Sequence, residues 1–247
     1  MARAKKKKSG TSTRTGGPLA RLAELVSRLW RYVLLALAGL AAFAFALVLL
    51  FAVVNPPTTF TMVSEGWRLD RPVRQDWVPM ERIAPVMARS AVAAEDANYC
   101  LHWGFDVAAI RAAIAEGGTR GGSTISQQVV KNVFLWQGRS WPRKVLEAAI
   151  TPMVELVWSK RRILEVYLNV AEMGEGVFGV GAAARASFGV APEALTARQA
   201  ALLAAVLPSP RTRAAAQPSP GLRKRAAAIM DGAAVIRSDG RAACFED

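Results

Sequence analysis

Two adjacent carboxylates, Glu95 and Asp96, end an alanine-rich apolar segment and could transfer protons. Adjacent side chains on a helix point about 100° apart, so one carboxylate can face a cleft while its neighbour turns inward. A carboxylate in a partly dry site can also have its pKa tuned for proton transfer. Tyr99 and His102, the only histidine of the chain, follow closely. For the carboxylate pair alone, an ordinary solvated helix end is the commoner interpretation, so neighbouring segments must decide.

A second polar group of residues follows the glycine-rich loop Glu116 to Gly122. Thr124 is a predicted N-cap, with Gln127 as its capping-box partner. Thr124, Gln128 and Lys131 stand at i, i+4 and i+7, so one helix face would present a hydroxyl, an amide and an ammonium. Backbone N–H groups at a helix start beside a lysine can bind phosphate or pyrophosphate, although an exposed polar face has the same pattern. The segment lacks the G-K-[ST] ending of a P-loop, which disfavours nucleotide binding.

A third polar pair, Arg143 and Glu147, is spaced to share one helix face. Surface helices carry many such pairs, so the spacing alone predicts no more than an ion pair. Pro152 is predicted to kink the same helix, because its ring clashes with a carbonyl group in the preceding turn. The pair becomes informative only in combination with the two groups described above.

Helical spacing and capping signals predict a mainly α domain around these residues. Pro85 suits the first turn of a helix that carries Glu95 at its end. Ser159 and Thr196 are the predicted N-caps of two later helices. A series of glycines between residues 174 and 181 predicts tight turns in the second half of the domain. Further helices are predicted over residues 107–115, 160–169, 182–187, 197–206 and 222–236.

An uncharged stretch, Tyr32 to Val54, predicts a single transmembrane helix. Its 23 residues span roughly 34 Å as a helix, which is enough to cross a bilayer core of about 30 Å. It is too long for the core of a signal peptide, and no convincing small-residue cleavage site follows it. Residues 1–31 carry nine Lys or Arg against one Glu, which is +8 of the net charge of +13. This asymmetry predicts a cytoplasmic N-terminus and a main domain outside the cytoplasm.

The basic run near the N-terminus and the two cysteines each have a simple interpretation. The Lys5 to Lys8 run could bind nucleic acid, but the neighbouring transmembrane span favours a topology signal, and no nucleic-acid partner is expected. Cys100 and Cys244 form no metal pattern and no disulfide framework, so we interpret each as a free, small apolar residue.

The predicted segments are a basic cytoplasmic tail (1–31), a transmembrane helix (32–54), a linker or membrane-proximal segment (55–80), a catalytic domain (81–210) and a C-terminal extension (211–247).

Five sequence blocks, taken in order, resemble the family 51 glycosyltransferases, the peptidoglycan transglycosylases, and most closely their monofunctional biosynthetic type. The resemblance covers roughly residues 75 to 210, through the blocks EDANYCLHWGFD, GGSTISQQVVKNVFLW, RKVLEAAI, SKRRILEVYLN and GVFGVGAAARASFG. It implies a mainly α, lysozyme-like fold with a smaller membrane-proximal lobe, preceded by the single transmembrane helix. Tyr99 stands where the family usually has phenylalanine. Gly181 and Ser187 depart from the glutamate and tyrosine common there, which concerns local packing more than catalysis.

The resemblance also implies roles for individual residues. Glu95 corresponds to the catalytic base, Asp96 to its structural neighbour and His102 to the histidine of the same motif. Glu147 is expected either to orient the site's cations or to hold a divalent metal such as Mg²⁺ or Mn²⁺. The positions that match the lining of the family's cleft are Thr124, Gln128, Lys131, Arg143 and Glu147.

The reaction implied by the resemblance elongates glycan strands from lipid II, the undecaprenyl-pyrophosphoryl disaccharide-pentapeptide. An acceptor GlcNAc 4-hydroxyl attacks C1 of the MurNAc at the donor's reducing end with inversion, and undecaprenyl pyrophosphate departs. An alcohol is a poor nucleophile until a carboxylate takes its proton, which would be the task of Glu95. Pyrophosphate leaves readily once cations such as Lys131 and Arg143 neutralise its charge. The implied location is the bacterial inner membrane, where partners besides lipid II and the growing strand can include other cell-wall synthesis or division proteins.

Two other classes of protein share parts of this pattern. A lysozyme-like hydrolase or lytic transglycosylase would use one glutamate, but it must protonate a sugar oxygen and gains nothing from Lys131 and Arg143. A non-catalytic, membrane-anchored cell-wall scaffold would need neither Glu95 nor the other cleft residues. The chain lacks the S-x-x-K and K-T-G motifs of a bifunctional penicillin-binding protein. Glycan polymerisation is therefore the favoured prediction.

Overall fold

The computed structural model describes residues 18–115, 122–138 and 140–246 of the chain. The chain forms two compact units, Met1–Ala44 and Phe45–Asp247. Most of the predicted basic tail, residues 1–17, lies outside the described residues, as does most of the glycine-rich loop, residues 116–121.

Helix α1, Pro18–Val53, contains the predicted transmembrane stretch. Its part Arg21–Val53 is, by length and composition, the one helix in the described residues that could cross a membrane. The helix ends just before the Asn55-Pro56-Pro57 sequence, because a proline cannot supply the backbone N–H that continues a helix. Two side chains from the turn between residues 158 and 162 hold residues 45–54 of the second unit: the Trp158 indole donates to Val48 O (2.7 Å), and Arg162 donates to Phe51 O (3.0 Å).

The second unit is mainly helical, as predicted, and carries one small sheet. In that sheet the strand order is β1-β3-β2, with β1 parallel and β2 antiparallel to β3. Its helices are α2 (Phe60–Leu69), α3 (Pro85–Glu95), α4 (Val107–Ala115), α5 (Ile125–Phe134), α6 (Trp141–Val157), α7 (Lys160–Val170), α8 (Gly179–Phe188), α9 (Ala197–Val206), α10 (Pro220–Ser238) and α11 (Ala243–Glu246). Its strands are β1 (Arg74–Gln75), β2 (Glu172–Gly174) and β3 (Val177–Phe178).

The predicted helix starts are confirmed by their capping bonds. Thr124 and Gln127 form a complete capping box at α5, and Thr196 and Gln199 form another at α9. Ser159 accepts a hydrogen bond from the backbone at the start of α7. These side chains satisfy N–H groups that a helix start leaves without internal partners, which fixes where each helix begins.

Two groups of packed helices form the core around the end of α3. Helix α3 packs against α9 and α10, and α5 packs against α6 and α7. Small side chains let these helices approach closely: Ala91 in α3 and Ala201 in α9 are fully buried, and a Cβ at Gly232 of α10 would lie 3.2 Å from Ala93 Cβ. Helix α10 belongs to the segment 211–247, so the C-terminal part of the chain contributes to this core. Helix α6 continues past Pro152 to Val157.

The interpretation of two free cysteines is wrong, because Cys100 and Cys244 form a disulfide across a sequence separation of 144 residues. Helix α11 folds back against α7 and the helical turn Tyr99–Leu101, which brings the two thiols together. Phe245 of α11 is fully buried, with its ring 6.2 Å from that of Tyr99. Such a long-range pairing depends on tertiary packing, and two isolated cysteines in a sequence carry no signal for it.

The glycine at position 181 is explained by its neighbours. A Cβ on Gly181 would lie 2.6 Å from the Asp76 carbonyl oxygen and 2.7 Å from Val78 Cγ2. The Asn169 side chain holds this neighbouring segment in place, since it accepts from Val78 N (2.7 Å) and donates to Val78 O (2.8 Å). A larger side chain at position 181 would have to displace that segment, so here the backbone after β1 takes the space.

Candidate active site

Glu95 lies at the last turn of α3 with 13% of its side chain exposed. Its Oε2 accepts a hydrogen bond from Gln128 Nε2 of α5 (3.0 Å). The Tyr167 hydroxyl of α7 donates to Gln128 Oε1 (3.3 Å), which fixes the orientation of that amide. Burial raises the pKa of Glu95, and the Gln128 hydrogen bond and the positive charges of Arg225 and Lys131 offset only part of this effect. A carboxylate with a raised pKa is a stronger base for a hydroxyl proton than a solvated one.

Asp96 turns away from Glu95 and holds the surrounding loop together. Its Oδ1 lies 2.8 Å from His102 Nε2, and its Oδ2 accepts from Ile125 N at the start of α5 (3.0 Å). The two carboxylates therefore differ as expected: Glu95 lines a cavity, and Asp96 forms hydrogen bonds within the protein. Asp96 and His102 bond to each other with at most 8% of either side chain exposed, so both position α3 against α5. Contact of either residue with substrate stays a prediction.

The polar face predicted on α5 is present in part. Gln128 and Lys131 line a cavity, and burial lowers the pKa of Lys131, an effect that the charges of Glu147 and Glu95 partly oppose. Thr124 does not join them there. Its buried hydroxyl donates to Gly104 O (2.7 Å) and accepts from Gln127 N (3.3 Å), because capping requires it at the helix start. Thr124 instead lies in the lining of a separate cavity that contains Glu95, and its contact with substrate stays a prediction.

Arg143 and Glu147 of α6 form the predicted pair, but both are buried. Arg143 NH1 donates to Glu147 Oε2 (2.8 Å), and Arg143 Nε donates to Gly138 O (2.8 Å). Lys144, which the sequence reasoning missed, forms an ion pair with Glu147 Oε1 and donates to Ser123 Oγ (3.3 Å). Of the two cations, Lys144 is the more exposed, with 42% of its side chain accessible. Its position next to Arg143 and three residues from Glu147 was the available signal.

The surroundings of Glu147 do not fit a divalent cation. Each of its carboxylate oxygens already faces a cationic side chain, Arg143 or Lys144. Across the described ranges, no three histidine, cysteine or acidic side chains converge as metal ligands. A carboxylate compensated by two cations on its own helix suits an orienting role.

Glu95 lines one of two neighbouring cavities and is hydrogen-bonded to a residue that lines the other. The first, about 390 Å³, is lined by α5, α7 and the segment after α9, and it contains Lys131 and Arg211. The second, about 250 Å³, is lined by the end of α3 and the residues before α5, and it contains Glu95 and Asp106. The Glu95–Gln128 hydrogen bond joins the lining of one cavity to that of the other. A carboxylate between a cationic cavity and a second polar cavity is placed to take a proton from one ligand as it reacts with another.

Sequence reasoning missed Arg225, whose NH2 lies 3.7 Å from Glu95 Oε1. Arg225 is in α10, within the segment predicted as a C-terminal extension, to which no role was assigned. No short motif relates it to Glu95, because only the packing of α10 on α3 brings the two side chains together.

Comparison with known proteins identifies the family of the chain. The family model described as Transglycosylase matches residues 62–234. A biosynthetic peptidoglycan transglycosylase of Jannaschia sp. (strain CCS1) is 58% identical over 243 residues, which is 98% of each chain. The proteins of the same name from Stutzerimonas stutzeri (strain A1501) and Rhodospirillum centenum are 50% and 44% identical, over 77% and 90% of this chain and 82% and 98% of their own lengths. The chain belongs to the transglycosylase family.

Proposed function

We propose that this peptidoglycan glycosyltransferase elongates glycan strands from lipid II with Glu95 as its general base. The observation that carries the proposal is the position of Glu95, a largely buried carboxylate that lines the second polar cavity and is hydrogen-bonded to Gln128 in the lining of the Lys131 cavity. Lipid II or the growing strand would place its pyrophosphate in the Lys131 cavity as the donor. The acceptor sugar would reach Glu95 from the second cavity.

The proposed step is a single displacement at the donor's anomeric carbon. The acceptor 4-hydroxyl oxygen bonds to C1, the bond from C1 to the pyrophosphate oxygen breaks, and the hydroxyl proton passes to Glu95. Pyrophosphate needs no proton to leave, but charge develops on it as the bond breaks. Lys131 is the cation placed to stabilise that charge, and a partly buried ammonium acts more strongly there than one in water. A single displacement inverts the anomeric configuration.

Arg143, Lys144 and Glu147 form a supporting group in this proposal. Glu147 holds Arg143 and Lys144 on one side of α6, and its charge also acts on Lys131. We assign Lys144 the contact with the outer part of the pyrophosphate, because it is the more exposed cation. Glu147 then orients the cations.

The proposed location is the outer face of the bacterial inner membrane, with α1 as the anchor and the N-terminus in the cytoplasm. The basic residues before the apolar stretch favour this orientation. The Cys100–Cys244 disulfide supports it, because disulfides persist in oxidising compartments outside the cytoplasm. We retain 1–31 as the tail, 32–54 as the span and 55–80 as the membrane-proximal segment, and we extend the catalytic unit beyond 81–210 to include α10.

A topology measurement tests this location. A reporter that is active only outside the cytoplasm, fused after Asp247, should be active, and a reporter that fluoresces only in the cytoplasm should stay dark at the same position. The same pair fused before Met1 serves as the control and should give the opposite result. A cytoplasmic C-terminus would contradict the location and would separate the site from an outer-leaflet substrate.

Substitution of Lys131 tests the donor site. Lys131→Ala should weaken donor binding and lower the polymerisation rate by about 10² to 10³-fold, because its charge meets the phosphates before and during bond breaking. Lipid II turnover and binding of a labelled phosphoglycolipid donor analogue are the two measurements. Lys224→Ala, which removes an exposed lysine of α10, is the matched control and should change neither quantity. Unchanged binding and turnover in Lys131→Ala would show that the Lys131 ammonium takes no part in donor binding or catalysis.

A further inference from the structure

Among the described residues of the C-terminal segment, Arg225 is the one cation within ion-pair distance of the proposed base. Its guanidinium NH2 lies 3.7 Å from Glu95 Oε1. Its Nε is buried and finds no hydrogen-bond partner among the described residues. The side chain as a whole is 40% exposed, so its charge faces the site without being neutralised by a close ion pair. Glu95 is the one acidic side chain within ion-pair distance of Arg225 in the described ranges.

The backbone of α10 fixes Arg225 at this place. Leu222 and Ala226, on either side of Arg225 in the helix, are buried in the core. About two turns further along, Gly232 brings α10 so close to α3 that an added Cβ would lie 3.2 Å from Ala93 Cβ. Because Ala93 is two residues before Glu95, the helix pair holds arginine and base in a defined relation.

The distance between the two side chains suits a base that must remain free to react. At 3.7 Å the guanidinium is too far from Oε1 for a hydrogen bond, but its charge still acts on the carboxylate. The other carboxylate oxygen of Glu95, Oε2, already accepts a hydrogen bond from Gln128 Nε2. Oε1 therefore keeps its lone pairs for the acceptor hydroxyl while a positive charge stands beside it.

We propose that Arg225 is a positioning residue that keeps the Glu95 carboxylate charged and directs its Oε1 towards the acceptor. The inference rests on the proposed function of Glu95 as the base. It also gives the C-terminal segment a part in the reaction, because α10 delivers the charge.

Other groups around Glu95 also influence the ionisation of its carboxylate. Lys131 of α5 adds a second positive charge, and Asp96 at the end of α3 adds a negative one. Tyr167 of α7 reaches the site through Gln128, and α9 packs against α3 with buried alanine and leucine side chains. Burial of the carboxylate opposes its ionisation, so removing one of the two cations should favour the protonated form.

Three variants of the full chain in detergent test the inference. Arg225→Gln removes the charge, Arg225→Lys keeps it, and Lys224→Gln removes the charge of the neighbouring exposed side chain. The acidic limb of the pH profile of kcat/KM for lipid II polymerisation reports ionisation of the base in the free enzyme. Arg225→Gln should move this limb to higher pH and lower kcat/KM on the acidic side about tenfold, which corresponds to a shift of about one pH unit. Arg225→Lys and Lys224→Gln should keep the limb of the unmodified chain.

A second readout does not depend on turnover. The carboxyl infrared band that disappears in Glu95→Gln identifies the Glu95 titration, and Arg225→Gln should shift that titration to higher pH. An unchanged titration and an unchanged acidic limb in Arg225→Gln would overturn this inference alone. A merely structural role would lower the plateau of kcat/KM without moving the limb, and that result would also overturn it. An unmodified chain that does not polymerise lipid II would instead remove the proposed function.

Discussion

Glu95→Gln is expected to reduce lipid II polymerisation by about 10² to 10⁴-fold, the usual cost of losing a general base. Glutamine keeps the size of the side chain and can still accept the hydrogen bond that Gln128 donates. It cannot take the proton of the acceptor hydroxyl. Binding of a labelled donor analogue should survive, because Lys131 and the rest of the donor cavity are unchanged. The measurement pairs a polymerisation assay with this binding assay.

The stability of the same variant shows whether the loss is chemical. An acid whose pKa is raised in the folded state contributes stability that is fully present below its unfolded pKa and is lost as pH rises through the folded pKa. Burial raises the pKa of Glu95, so its ionised form lowers the stability of the fold at neutral pH. Glu95→Gln should therefore melt no lower than the unmodified chain at neutral pH, and any gain should disappear in acid.

The control for this substitution is Glu193→Gln, which removes an exposed carboxylate from a surface turn. It should leave polymerisation unchanged. Near-normal polymerisation in Glu95→Gln would contradict the assignment of the base. Glu147, another buried carboxylate of the site, would then be examined, although Arg143 and Lys144 already engage both of its oxygens.

Loss of the Cys100–Cys244 disulfide is expected to lower the melting temperature by about 10 °C. A bond between residues 144 apart restricts the unfolded chain strongly, which corresponds to about 3 to 5 kcal/mol of stability. In a chain of this length, each 1 kcal/mol shifts the melting temperature by about 2 to 4 °C. The measurement compares Cys100→Ser/Cys244→Ser with the unmodified chain at one heating rate in one detergent.

Reduction provides the control for the disulfide. A reducing agent should lower the melting temperature of the unmodified chain by the same amount and leave the double variant unaffected. A melting temperature that neither treatment changes would contradict the bond. Arg241 of the adjoining segment also donates to Ala97 O (2.9 Å), so the C-terminal end is tied to the loop after Glu95 at two points.

Local chemistry in the sequence predicted much of this arrangement. The caps at Thr124, Ser159 and Thr196 depend on residues within the first turn of the helix, so they can be identified without the fold. Helix geometry predicted that Glu95 and Asp96 point in different directions, and the structure adds that Asp96 is the C-cap of α3, where the backbone is no longer helical. The uncharged stretch in α1 is equally local, because its length and composition suffice to identify it.

The features that escaped prediction depend on contacts between distant segments. Arg225 meets Glu95 only because α10 packs on α3, and Cys100 meets Cys244 only because α11 folds back. The Thr124 hydroxyl was assigned to the face of Gln128 and Lys131 because periodicity gives the face of a helix but not the bonds that a cap already uses. Lys144 was within reach of local reasoning, since it stands three residues from Glu147 on the same helix.

Incubation of the purified full chain with labelled lipid II tests the central claim most directly. The account predicts a polymeric glycan, release of undecaprenyl pyrophosphate, and digestion of the polymer by lysozyme to small fragments. Glu95→Gln should yield no polymer under the same conditions. Lipid II that remains monomeric with the unmodified chain, or preformed glycan that the chain cleaves, would contradict the account.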